Sequence, residues 1–116
     1  MAIANQIEAA SLSPSSRRLV RLMQRINFGC IKELTIRQGE PCFDPLPRVY
    51  RDVKFGADNT QRPELDLSVF VLKKQVIELF SEFSELRDGV VLWLEVRHGL
   101  PFRMRVEERL EPRFEY

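Results

Sequence analysis

Cysteine and histidine are scarce in this chain of 116 residues, which contains two cysteines and one histidine. A structural zinc site takes four ligands, mostly from these two residue types, so the chain cannot supply a complete Cys/His set. We therefore expect no metal site, and nothing in the sequence points to a cofactor. Cys30 and Cys42 are expected to be reduced thiols that pack as small apolar side chains.

Long apolar runs are also missing. No segment approaches the roughly 20 residues that a membrane-spanning helix needs. The first residues, MAIANQIEAASLSPSS, lack the basic start and the apolar block of a secretory signal. The sequence therefore predicts a cytoplasmic protein without membrane contact. Residues 1–12 are expected to be a flexible tail, with weak helical character around Ile3–Ala10.

An excess of charge of one sign is absent as well. Eighteen basic residues and seventeen acidic residues leave a formal charge of +1, so binding to nucleic acid would need a local basic patch. Catalytic motifs are missing too: the chain has no nucleophile elbow, P-loop, dinucleotide fingerprint or HExxH. These absences favour a protein that is not an enzyme. A small enzyme with an unrecognised site near Glu33, Asp44 and Asp52 is the third alternative.

Two segments have the periodicity of amphipathic helices. The first follows Ser13, which can cap its N-terminus, and it ends near Gly29. The second carries a broad apolar stripe, begins after a cap at Asp66 or Ser68, and ends before Gly89. Both segments are bounded by residues that typically start and stop helices.

The remaining segments alternate apolar and polar residues, which predicts strands within residues 30–43, 48–56 and 90–108. The composition, 44% hydrophobic and 30% charged, is sufficient for one core. We therefore expect a single α+β domain over residues 13–116. It would have two main helices packed on a mainly antiparallel sheet.

The two halves of the chain share a local pattern. Sliding residues 17–42 onto residues 77–102 matches six positions identically, and the stretches IRQGEPC and VRHGLPF then coincide. A pseudo-repeated αββ-αββ arrangement, with halves at about 13–56 and 66–109, explains this similarity. Chance recurrence of the same helix–hairpin pattern explains it as well, and both interpretations remain open.

The glycine shared by these stretches indicates a tight hairpin turn. A three-residue loop, Arg37–Gly39 in the first hairpin and Arg97–Gly99 in the second, would place each glycine in a left-handed position. In the first hairpin this loop sets Leu34 opposite Cys42. In the second it puts every apolar side chain on one face, whereas a two-residue loop would put arginines on the apolar side. The sequence therefore favours the three-residue loop.

The far face of the last hairpin is the main candidate site. The expected register sets Trp93 opposite Arg103 and Val91 opposite Arg105, and an aromatic ring between guanidinium groups could anchor a partner protein or stack on a base. Two explanations need no partner: Arg103 could cover Trp93 for stability alone, or Trp93 could be buried under the first helix. His98, at the hairpin tip, is either a solvated turn residue or a pH-sensitive group. The candidate binding residues are Trp93, Arg97, His98, Arg103 and Arg105.

A basic stripe on the first helix is the second candidate. Arg17, Arg21 and Arg25 recur every four residues, as a row of phosphate contacts would require. A solvated charged face explains the stripe equally well. A nucleic-acid site built from the stripe and Trp93 together requires both on one continuous face.

The sequence therefore predicts a non-catalytic binding or protein-interaction module. Self-association as a homodimer is one form of this function, because hairpin edges pair readily unless they are blocked. A nucleic-acid-binding accessory protein is the alternative, and a small enzyme is the third.

Overall fold

The computed structural model describes residues 12–56 and 73–110. Over these residues the chain forms two helices packed on a five-stranded antiparallel sheet, which confirms the expected α+β class. In chain order the elements are α1 (Pro14–Ile26), β1 (Gly29–Arg37), β2 (Glu40–Cys42), β3 (Arg48–Arg51), α2 (Lys74–Leu86), β4 (Gly89–Arg97) and β5 (Leu100–Glu108). The helix expected around Ile3–Ala10 lies outside the described residues, as do Asp66 and Ser68. Helix α2 begins later than the sequence predicts, after an N-cap at Lys73 whose side chain makes no capping hydrogen bond.

Helix α1 begins as its sequence predicts. The Ser13 hydroxyl accepts a hydrogen bond from the Ser16 backbone N–H at 3.2 Å, and Pro14 occupies the first turn. The Glu40 carboxylate on β2 accepts hydrogen bonds from the hydroxyls of Ser13 and, at 2.8 Å, Ser15. A carboxylate at a helix N-terminus is favourable because unpaired N–H groups and the helix dipole make that end positive. This contact ties the start of α1 to the first hairpin.

The sheet is built around the central pair β1–β4. Its strand order is β2-β1-β4-β5, and β3 also pairs with β1. Strand β2 pairs with β1 at residues 35–37 and β3 pairs with it at residues 29–32, so the two short strands share one edge of β1. The opposite edge of the sheet is the nine-residue strand β5. The residues DPLP lie between β2 and β3 and interrupt the pairing of this segment with β1, as their prolines predict.

Corresponding elements of the two halves lie sixty residues apart. Helix α2 and strand β4 have the bounds of α1 and β1 shifted by that number. The Gly39 N–H donates to the Arg87 carbonyl at 2.8 Å, and the Gly99 N–H donates to the Asn27 carbonyl at 2.9 Å. The halves differ in their last strand, which is split into β2 and β3 in one and continuous as β5 in the other. A common origin of the halves stays a prediction.

The hydrophobic core lies between the two helices and one face of the sheet. Its members are buried apolar side chains from α1, α2, β1 and β4, and burying each one removes apolar surface from water. They are Leu19, Val20, Met23, Ile26, Ile31, Leu34, Ile36, Val76, Leu79, Phe83, Val91, Leu94 and Val96. Since both helices cover this face, the opposite face of the sheet has no helix of the described ranges packed against it.

Two-residue turns, not the expected three-residue loops, close both hairpins. Gln38–Gly39 has φ angles of 52° and 78°, and His98–Gly99 has φ angles of 55° and 72°. Two consecutive left-handed residues make the type I′ turn, whose twist matches that of the flanking strands. In the first hairpin Cys42 therefore pairs with Thr35 rather than Leu34, and Leu34 is buried in the core.

Two β-bulges explain why the expected register of the last hairpin was wrong. One extra residue lies in β4 just before Trp93, and another lies in β5 at Phe102. These insertions pair Arg105 with Trp93 and Arg103 with Glu95, so the two-residue turn does not force the arginines onto the apolar side. A bulge changes which face every later residue occupies, and no residue type in this hairpin announces one.

Candidate functional site on the outer face of the sheet

The candidate site is the sheet face turned away from both helices, which we call the outer face. Paired residues on neighbouring strands lie on the same side of a sheet. One row of pairs crosses four strands on this face, in the order Arg48, Lys32, Trp93 and Arg105. With strands about 4.8 Å apart, the row is roughly 14 Å long. We call these four residues the Trp93 row.

A second row lies beside the Trp93 row. It contains Tyr50, Cys30, Glu95 and Arg103, in the same strand order. Tyr50 is 45% exposed, and the Lys32 ammonium lies 5.1 Å from the centroid of its ring. The outer face therefore presents a second aromatic ring with a cation beside it.

Trp93 lies on the outer face and is half-buried. The guanidinium carbon of Arg103 is 5.6 Å from the centroid of its ring system, and that of Arg105 is 5.9 Å away. The structure thus brings together the three residues that the sequence places side by side, although their pairing differs. Val91, expected opposite Arg105, pairs with Val106 and is buried. Burial of Trp93 under the first helix is excluded, because α1 packs on the other side of the sheet.

Glu95 connects the arginines of the last hairpin. Its two carboxylate oxygens accept hydrogen bonds from Arg103 Nε at 2.9 Å and from Arg97 Nε at 2.8 Å. The guanidinium of Arg97 also lies 3.8 Å from the centroid of the Phe102 ring, and such cation–π contacts orient a guanidinium group. These contacts fix Arg97 and Arg103 around Glu95, and Arg103 also lies beside Trp93.

The hydrogen bonds from Arg103 and then from Arg97 lower the pKa of the Glu95 carboxyl from its ordinary value of 4.5. Because its pKa is lower in the folded chain than in the unfolded chain, the carboxylate stabilises the fold above about pH 4.5. This contribution is lost as the pH falls through the lowered pKa. We expect Glu95→Gln to lower Tm at pH 6, and the difference in Tm from the unmodified protein to shrink as the pH falls below 4.5 through the lowered pKa, as thermal unfolding followed by circular dichroism would show.

The control for this prediction is Glu107→Gln, which removes an exposed carboxylate of β5 that makes no ion pair within the described residues. We expect its Tm to differ little from that of the unmodified protein at pH 6. A Tm difference for Glu95→Gln that stayed constant from pH 6 to pH 3 would contradict the role assigned to the ion pairs.

Glu33 forms a second ion pair at the other end of the Trp93 row. Its carboxylate lies 3.0 Å from Arg48, and its φ of 60° marks an irregularity in β1. Within the described residues Lys32 and Arg105 have no carboxylate partner. The cations without ion pairs therefore lie on either side of Trp93 in its row.

The basic stripe of α1 is separated from Trp93. Arg21 and Arg25 are exposed and Arg17 is half-exposed, but α1 lies against the inner face of the sheet. The sheet stands between the stripe and the indole, so the single site that was expected from both does not form. A nucleic-acid site on the outer face would have to use other cations.

His98 occupies the tip of the last hairpin, as the sequence predicts. Its ring makes an edge-on contact with Phe28, with ring centroids 4.7 Å apart and planes at 69°. The adjacent Gly99 N–H bonds to the Asn27 carbonyl. His98 thus packs against the segment between α1 and β1, at the end of the hairpin rather than within the Trp93 row.

The acidic residues considered for catalysis make separate contacts, which for Asp44 and Asp52 involve backbone groups. Glu33 pairs with Arg48, and the Asp52 N–H donates to the Phe28 carbonyl at 2.8 Å. The Asp44 carbonyl accepts a hydrogen bond from the Cys42 thiol at 3.2 Å. Within residues 12–56 and 73–110, no three His, Cys, Asp or Glu side chains form a group that could hold a metal ion. Neither described helix has the length and apolar character needed to cross a bilayer.

Comparison of the chain with protein-family models, with curated proteins and with solved structures gave no match.

Sequence reasoning missed half of the outer face. Tyr50, Arg48 and Lys32 were not recognised as members of the same face as Trp93, although RVYR places an aromatic residue between two arginines on a short strand. This placement can be read directly from the sequence. The pairing of β3 with β1, which brings these residues to Trp93, depends on long-range contacts that the local sequence does not encode.

Proposed function

We propose that this protein is a non-catalytic binding module and that the outer face is its contact surface. The observation that carries the proposal is the presence of partly exposed aromatic rings with arginines on a sheet face that neither helix covers. Tyr50 is 45% exposed, and Trp93 is half-buried. Aromatic residues and arginine are the residue types that dominate binding energy in interfaces. We also propose that this module acts in the cytoplasm.

Self-association through the outer face is one form of this function, and it would make a homodimer. The free edge of β5 offers another route, because an edge strand presents unpaired backbone groups to a second copy. That edge carries Pro101, the bulge at Phe102 and the charges of Arg103 and Arg105. Proline, bulges and charge are the features that keep edge strands from pairing. The face is therefore the stronger candidate for contact with any partner.

Site-directed photo-crosslinking in the source cells tests the proposal. We would place p-benzoylphenylalanine at Arg105 on the outer face and, as the matched control, at Glu82 on the exposed side of α2. We expect a crosslinked product from position 105 and little from position 82. A product of about twice 13.6 kDa would identify a second copy, and another mass a different partner. Equal products from both positions, or none from position 105, would contradict the proposal.

We also propose that residues 13–56 and 66–109 are copies of one αββ unit. The matching bounds of α1 and α2 and of β1 and β4 support this origin, as do the six identities at the same offset. Two-residue turns in both hairpins, each with a glycine at its second position, support it further.

A further inference from the structure

We propose that the partner bound by the outer face is a single-stranded nucleic acid. This inference rests on the proposed function and names the chemical class of the partner. It is carried by the Trp93 row and by its neighbour Tyr50, which together alternate aromatic rings with cations across the sheet.

The charge of the outer face favours a polyanion. Around the Trp93 row the face carries the cations Lys32, Arg48, Arg97, Arg103 and Arg105. The carboxylates Glu33 and Glu95 are already paired with arginine, and Glu107 lies beyond the Trp93 row, where β5 nears its end. Lys32 and Arg105 therefore keep charge that no described carboxylate neutralises, and they flank Trp93.

The order of groups across the face matches the order of groups along a single strand. Lys32 lies between two rings: it pairs with Trp93 on β4, and its ammonium is 5.1 Å from the Tyr50 ring. Arg105 lies on the far side of Trp93. The path from Tyr50 through Lys32 and Trp93 to Arg105 therefore runs ring, cation, ring, cation. Arg48, the β3 member of the Trp93 row, adds a cation that is already paired with Glu33. A single strand likewise alternates flat bases with phosphates, and aromatic side chains stack on bases whatever their sequence.

The spacing of the two rings permits two separate stacking contacts. Trp93 and Tyr50 are two strands and one row apart, which corresponds to roughly 12 Å at the usual strand and residue spacings. The guanidinium planes of Arg103 and Arg105 add surfaces on which bases also stack. This arrangement suits bases that are splayed apart along a strand.

A duplex or an acidic protein fits the outer face less well. The bases of a duplex are stacked on one another, so the rings of Trp93 and Tyr50 would have no base faces to contact. An acidic peptide would satisfy Lys32 and Arg105 but would leave the rings without flat partners. The single strand is the partner that uses both kinds of group.

The purified full chain, titrated with defined oligonucleotides, tests the inference. The probes are a 12-nucleotide single-stranded RNA and DNA of mixed sequence, the duplex of the same DNA, and polyglutamate. Binding is followed by Trp93 fluorescence, since Trp93 is the only tryptophan. We expect quenching by the single strands, weaker binding of the duplex, and little effect of polyglutamate. Three or four phosphate contacts would weaken binding roughly 20- to 50-fold between 50 and 200 mM salt.

Two charge-reversal variants locate the site. Arg105→Glu and Arg21→Glu change the net charge equally, but Arg105 lies in the Trp93 row and Arg21 lies on α1, on the other side of the sheet. Measured by anisotropy of a labelled oligonucleotide, Arg105→Glu should lose at least about tenfold in affinity, and Arg21→Glu should lose much less. Equal losses, or a larger loss for Arg21→Glu, would overturn the inference.

Substitutions of Trp93 test stacking separately from charge. Trp93→Ala should weaken binding on the order of 5- to 150-fold, and Trp93→Phe should retain most of the affinity because the ring remains. Circular dichroism of each variant checks that the fold persists. If both variants fold and Trp93→Ala binds the oligonucleotide as tightly as Trp93→Phe does, the stacking model is wrong.

The result also separates this inference from the proposed function. Equal binding of polyglutamate and single strands would overturn the nucleic-acid inference, while the outer face would remain a binding surface. No binding of any probe at low salt would overturn it too, and the crosslinking result at positions 105 and 82 would then decide the proposed function independently.

Discussion

Replacing Phe83 by alanine is expected to lower the free energy of unfolding by about 3–5 kcal/mol. Phe83 lies in α2 with none of its surface exposed, and its ring packs edge-on against Phe80 at a centroid distance of 5.9 Å. Truncation would remove buried apolar surface and leave a cavity between α2 and the sheet, and both effects oppose folding. Domains of this size are stable by about 5–15 kcal/mol, so the loss is a large share of the total. Urea unfolding followed by circular dichroism measures it.

Phe55→Ala is the matched control, because it makes the same chemical change at a side chain that is 94% exposed. We expect this variant to change stability by less than about 0.5 kcal/mol. Similar losses for the two variants would contradict the assignment of Phe83 to the core. A shift in the urea midpoint without a change in slope would show that the loss is one of stability alone.

Replacing Gly29 by alanine is expected to detach β3 from the sheet. A Cβ atom at Gly29 would lie 2.0 Å from the Tyr50 carbonyl oxygen and 2.9 Å from Ile26 Cγ2, and the first distance is far inside any tolerated contact. The clash is with backbone, so no side-chain rotation relieves it. Strand β3 is held to β1 by only four residue pairs and is exposed throughout. Separating β3 from β1 therefore costs less free energy than unfolding the core, so β3 should detach first.

Hydrogen exchange measured residue by residue detects this detachment. If the free energy that holds β3 to the sheet falls by about 3 kcal/mol, exchange of the β3 amides should become roughly 100-fold faster. The amides of β4 and β5 should keep their protection. Since β3 carries Tyr50 and Arg48, the variant should also bind single-stranded oligonucleotides more weakly if the outer face is their site. Unchanged exchange in β3 would contradict the close approach at Gly29.

Gly56→Ala serves as the control for this prediction, because a Cβ atom there meets nothing within 4 Å. Its φ of 77° lies in the left-handed region, so the substitution should cost only the strain of that conformation, about 1–2 kcal/mol. The amides of β3 should remain protected from exchange in this variant.

The local sequence identifies the helices and strands because their signals are short-range. Ser13 caps α1 as its position predicts, and the alternation of RVYR marks β3. Each of these features depends on contacts within a few residues, which the sequence displays directly. The α+β class followed from them, since two amphipathic helices need a sheet face on which to bury their apolar stripes.

The candidate site was predicted in part. The contact of Trp93 with Arg103 and Arg105 was anticipated from the alternation of the last hairpin, although through a wrong register. The turn type and the bulges were not visible, because a glycine fits both a two-residue and a three-residue loop and no residue type marks an inserted position. The neighbours of Trp93 were predicted correctly despite the wrong register, because Arg103 and Arg105 are two residues apart on β5 and both reach its ring.

By itself the sequence determined that two amphipathic helices and several strands form, and which side chains are apolar enough to form the core. Only the tertiary structure decided that β3 pairs with β1, that Tyr50 and Lys32 therefore join Trp93, and that the α1 arginines lie on the opposite side of the sheet. The physical reason is the range of the interactions. Helix caps and alternation act between near neighbours, whereas strand order and the covered face depend on residues far apart in the chain, whose pairing is selected by burial of the whole core.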